Sequence, residues 1–128
     1  MSFLYIAYHH NWSGKSDFRR HWLLFLTTER GSNVGTAYDV ARDEHEVWIL
    51  RIKENHDISA SGTYQDKVVL GLVDNSKVEQ LAEIINDIAL PSEGEDCQDW
   101  VKHAVTKLVA EKVAPTRALA SMGVAPSS

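Results

Sequence analysis

At Ser76 the hydrophobic pattern of this chain changes period, and that switch limits the possible folds more than any other feature. Before it, apolar residues come in short runs or in alternation, the spacing of β-strands. After it, Val78, Leu81, Ala82, Ile85 and Ile88 recur at helical spacing. Strands gathered at one end and helices at the other predict an α+β fold rather than an alternating α/β one. The expected architecture is an antiparallel sheet packed against two C-terminal helices.

The strand region divides readily. Residues 3–8 form an apolar and aromatic run, and residues 9–20 a polar connection that contains Ser13-Gly14-Lys15-Ser16. Residues 21–27 are apolar almost throughout, which predicts a central strand covered on both faces. Gly31-Ser32-Asn33 marks a turn, and residues 35–40 return as the second arm of a hairpin. Residues 46–52 alternate, with Val47, Ile49 and the stem of Arg51 opposed to Trp48, Leu50 and Ile52. A polar loop over 54–65 and a last strand over 67–73 follow.

Ser76-Lys77-Val78-Glu79 has the form of a capping box, which predicts the start of the first helix. Leu90-Pro91-Ser92-Glu93-Gly94 breaks that helix. A second, expected from about residue 96 to 113, carries Cys97, Trp100, Val101, Ala104, Val105, Leu108 and Val109 as one stripe. One domain over 1–114 is expected, with the small-residue stretch 115–128 as a flexible tail.

Composition narrows function. The 128 residues hold 13 Lys and Arg against 18 Asp and Glu, a formal charge of −5, with no basic stripe. Binding to a phosphate backbone is not expected of such a surface. No apolar run reaches the length of a membrane span, and residues 1–8 lack the basic flank of a signal peptide. A single cysteine cannot close an intrachain disulfide, so a reducing, cytoplasmic setting is expected. There is no Cys-x-x-Cys and no histidine pair on one helix face, so neither a metal nor another cofactor is expected. Gly14-Lys15-Ser16 lacks the upstream glycine of a phosphate loop.

Cys97 stands where the last helix begins, and unpaired backbone N–H groups at a helix start favour a thiolate. The same groups could receive an oxyanion. A thiol nucleophile also needs a base, and His21, heading the central strand, is the first candidate. Asp39, on the following strand, could orient the imidazole if the two strands pair, because an aspartate inside a strand needs a partner. The competing readings are a buried structural cysteine, a surface histidine and a solvated aspartate. His9 and His10 end the first strand and are second choices as base or as substrate contacts, with Trp12 beside them and Gln98 beside the thiol. His45 and His56 read as loop residues, and His103 points away from Cys97.

The order of these elements resembles the circularly permuted papain-like proteins, the NlpC-type superfamily in the arrangement of lecithin retinol acyltransferase. In that group the histidine precedes the cysteine. Its motifs, His-Trp-x-apolar-Tyr and Asn-Cys-x-x-Phe-Val, are similar to His21-Trp22-Leu23-Leu24-Phe25 and Asp96-Cys97-Gln98-Asp99-Trp100-Val101. The chain also resembles small fungal proteins with a Cys-Gln-Asp-Trp-Val box. The resemblance implies a cysteine hydrolase or acyl/amide transferase acting on a small peptide or metabolite, in specialised metabolism, through Cys97, His21 and Asp39. The sequence sets no oligomeric state. Two departures matter: Asp39 replaces a histidine, and Asp96 replaces an asparagine, which puts a negative charge beside the thiol and opposes its ionisation. The other reading is a repurposed scaffold that binds a small molecule and catalyses acid–base isomerisation or cyclisation without a covalent step.

Overall fold

The computed structural model describes residues 1–10 and 19–127. Its strands are β1 (Ser2–His9), β2 (His21–Thr27), β3 (Val34–Arg42), β4 (Trp48–Asp57) and β5 (Tyr64–Val73). Helices α1 (Val78–Asp87), α2 (Cys97–Ala110) and α3 (Ala118–Met122) follow. All strand pairs are antiparallel, in the order β4-β3-β2-β1-β5, so β2 is the central strand.

The double-sided apolar character of β2 explains that place. Trp22, Leu24 and Leu26 face the helices, in a core with Leu4, Ile6, Trp100, Val101 and Leu108. Leu23 and Phe25 lie on the other face with Tyr5, Ala7, Ala37 and Ile58. Each such fully buried apolar side chain contributes about 2 kcal/mol. A bulge in β5 shifts the β1–β5 register between Leu4 and Tyr5. Gly71 sits at this bulge with φ +147°, and a Cβ there would lie 2.4 Å from Cγ of Pro115. Only glycine lets the segment after α2 approach the sheet so closely.

Four expectations need correction. First, β4 runs on to Asp57 through residues expected to be a loop. Pairing with β3 (Gly35 with His56, Val34 with Asp57) satisfies their backbone, and as an edge strand β4 tolerates polar side chains. Asn55, at φ 48°, falls where the β3–β4 register shifts. Second, the capping box is not at Ser76. Asp74 caps a 3₁₀ turn over Asn75–Lys77, and α1 starts from that turn without a side-chain cap. The box is at α2, where Asp96 accepts from the N–H groups of Gln98 and Asp99 while Asp99 accepts from that of Asp96. Third, α2 ends at Ala110, not near 113, with Lys112 in the left-handed region. Fourth, residues 115–127 do not trail: α3 packs against β5 and α2, Ala118 and Ala125 are buried, and Trp22 Nε1 donates to the carbonyl of Pro126. Small side chains fit a narrow space between α2 and the sheet edge, a role that leaves no periodic signal.

Candidate active site

The start of β2 is the meeting point of the site. Leu24 pairs with Tyr38, so the same register carries Leu23 opposite Asp39 and leaves His21 diagonal to it on one face. The contact is direct: His21 Nε2 donates to Asp39 Oδ2 at 2.8 Å. Asp39 is also directly opposite Arg51 on β4, whose guanidinium grips it with two bonds, Nε to Oδ1 at 3.0 Å and Nη2 to Oδ2 at 2.6 Å. The carboxylate is 6% exposed, so these bonds replace its lost hydration.

The electrostatics follow from that geometry. Burial disfavours the Asp39 carboxylate, but hydrogen bonds and attraction from His21 and Arg51 outweigh it and hold its pKa down at about 2. Burial likewise disfavours a charged His21. The hydrogen bond to Asp39, with a further pull from Cys97 and the charge of Asp39, raises it to about 9. Cys97 is thus near enough to act on the ring.

Cys97 is the first residue of α2 and is 8% exposed. The charge of Asp96 beside it, expected to oppose ionisation, is offset by Arg19. Nε of Arg19 donates to Asp96 Oδ2 at 2.9 Å, and Nη2 donates to Asp96 Oδ1 at 2.6 Å and to Asp99 Oδ2 at 3.2 Å. The capping box changes the oxyanion expectation as well. The N–H groups of Gln98 and Asp99 are committed to Asp96, whereas that of Cys97 bonds to no other described residue.

Gln98 is not where a substrate contact should be. Its side chain is fully buried, and Nε2 donates to the carbonyls of Arg20 and Ser127, both at 2.8 Å. It ties the start of β2 to the C-terminal segment instead of facing a substrate. His9 sits directly opposite His21, with ring centroids 6.3 Å apart. It is buried, and its Nδ1 lies 3.1 Å from Thr63 Oγ1. Burial first, then the charge of His21, lowers His9 to about 4, so it is a neutral imidazole. Trp12 and Ser13-Gly14-Lys15-Ser16 lie outside the described residues. His103 is on an exposed part of α2, 3.8 Å from Glu95.

On the sheet face away from the helices, a cleft of about 430 Å³ is lined by His9, His10, His21, Asp39, Arg51 and Lys53, with His56 at its side. Cys97 does not line it. Sequence reasoning missed Arg51, Lys53 and His56. The alternation of residues 46–52 does place Arg51 on one face with Ile49, but nothing local announces a carboxylate on the neighbouring strand. Among the described residues no group of three or more His, Cys, Asp or Glu is placed to hold a metal ion. No helix among them is long and apolar enough to cross a membrane.

Fold and site together define an α+β protein with a cysteine at a helix start and a histidine backed by a buried aspartate on the sheet. The chain belongs to the family of unknown function DUF6540, whose profile matches residues 5–115. No curated protein and no solved structure matches it.

Proposed function

We propose that this protein is a thiol enzyme of the permuted papain-like kind, acting on an ester, thioester or amide carbonyl of a small peptide or metabolite. The observation that carries the reading is the pairing of His21 with Asp39 at 2.8 Å on neighbouring strands, with Cys97 at the start of α2 near enough to act on the same ring. Nε2 of His21 is occupied by Asp39, which leaves Nδ1 for the sulfur. At neutral pH His21 already carries the proton, so the sulfur adds to the carbonyl carbon as the thiolate. As the tetrahedral species collapses, the bond to the leaving group breaks and His21 gives the proton to it. Water then releases the acid, or an amine or alcohol takes the acyl group. Asp39, itself fixed by Arg51, holds the imidazole ring and stabilises its charged form. The amide of Cys97 is the donor available to a developing oxyanion.

The test is intact-mass spectrometry after exposure to short-chain p-nitrophenyl esters and acyl thioesters. An acyl adduct is expected on the wild-type protein and none on Cys97→Ala. Turnover of such substrates without dependence on Cys97 overturns the reading.

One observation favours a second reading: Cys97 is absent from the walls of the cleft, while His9, His10, His21 and Asp39 share them. A small molecule bound there would meet a neutral imidazole and a charged one side by side, suited to non-covalent proton transfer. Activity that survives Cys97→Ala and is lost in His21→Ala selects this reading.

A further inference from the structure

The protein as a whole is acidic, with a formal charge of −5, yet its cleft is not. Arg51 and Lys53 line it against a single carboxylate, Asp39. That carboxylate is fully engaged, by Nε and Nη2 of Arg51 and by Nε2 of His21. Arg51 is 38% exposed at its side chain, and its Nη1 bonds to no described residue. Lys53 is exposed and pairs with no carboxylate among the described residues. It is opposite Ala37, as Arg51 is opposite Asp39, so the two side chains project from one face with their Cα atoms about 7 Å apart. The small side chain of Ala41 and that of Leu23 line the same space, and His56 adds a ring nitrogen at its side. His9, 7% exposed, has a buried Nε2 without a hydrogen-bond partner in the same wall. A surplus of cations beside a buried ring nitrogen without a partner, which can donate when Thr63 donates to Nδ1, is what a bound anion would satisfy.

We infer that this cleft is a binding site for a small anion of carboxylate or phosphate type, held between Lys53 and the free edge of Arg51, in a space that Cys97 does not line. The site does not depend on the thiol chemistry proposed above. His21 is already charged at neutral pH and adds to the positive field without giving up its bond to Asp39.

The experiment follows the ring signals of His9, His21 and His56 by NMR at fixed pH. The protein is titrated with inorganic phosphate and, separately, with succinate, ionic strength being held constant with sodium chloride. At least one of the two should produce saturating shifts at His9 and His56, and which one does so identifies the anion class. Lys53→Met should weaken that binding roughly fivefold, equivalent to about 1 kcal/mol, and Lys53→Arg should retain it. Cys97→Ala should bind as the wild type does. Shifts that stay linear for both anions and match those of chloride, or an affinity unchanged in Lys53→Met, overturn the proposal. Binding without thiol reactivity would leave the anion site standing and remove only the thiol reading.

Discussion

Replacing His21 with alanine is expected to slow alkylation of Cys97 by iodoacetamide about a hundredfold at pH 6. An ordinary thiol, with a pKa near about 8.5, holds well under about 1% thiolate at that pH. A thiol paired with a charged imidazole at a helix start reacts in acid, where an isolated one does not. His21 keeps its proton up to about 9 because Asp39 holds it, so in the wild type the pair should persist across the neutral range. The measurement is the pH profile of the alkylation rate, read by mass spectrometry. A flat, fast acid limb should be present in the wild type and absent in His21→Ala. A change of only twofold at pH 6 would mean that the ring does not activate the sulfur. Hydrogen exchange at β2 serves as the control that the strand is intact in the variant.

Removing the carboxylate should have the largest effect on stability. Asp39→Ala leaves the cations of His21 and Arg51 facing each other around a buried gap. Breaking such a pair costs about 2–3 kcal/mol, less than for a fully buried one because His21 and Arg51 keep part of their hydration. Adding Arg51→Met to Asp39→Ala should recover part of that loss, since the double variant removes the orphaned guanidinium. Urea unfolding followed by tryptophan fluorescence measures both variants, with Trp22 and Trp100 buried beside α2 as the reporters. A loss below about 1 kcal/mol for Asp39→Ala would be the value of a solvated surface pair and would contradict the burial seen here.

The same contact shapes the dependence of stability on pH. Asp39 is held at about 2 against an ordinary 3.8, so its contribution is complete above pH 4 and is lost as the pH falls through 2. His21 is raised to about 9 from 6.5, so its contribution is complete below pH 6.5 and is lost as the pH rises through 9. At 1.36 kcal/mol per pH unit each limb amounts to about 2–3 kcal/mol, and the two describe one interaction and do not add. Urea midpoints across this range should form a plateau between pH 4 and 6.5 with a fall on each side. In Asp39→Ala the fall between pH 6.5 and 9 should flatten.

Much of this was legible before the fold was known, for physical reasons. The double-sided apolar run of β2 had to be central. The polar side chain of Asp39 inside a strand needed a partner, and the adjacent strand supplied His21. What stayed hidden depended on residues far apart in sequence. Arg51 read as an apolar stem because nothing near it shows that Asp39 lies across the strand gap. Arg19, within a polar connection, gave no sign that it would neutralise a cap 77 residues away. Gln98 looked like a substrate contact because a polar residue beside a thiol suggests one. Its burial makes sense only once Ser127, 29 residues on, brings a carbonyl to it.

That last contact has a practical corollary. The amide of Gln98 joins two strangers in sequence, the residue before the histidine strand and one near the end of the chain, immediately behind the thiol. Loss of Ser127 would remove half of that brace and slacken the strand that carries the imidazole. A sample that fails to react should therefore be weighed for cleavage ahead of Ser127 before its chemistry is doubted.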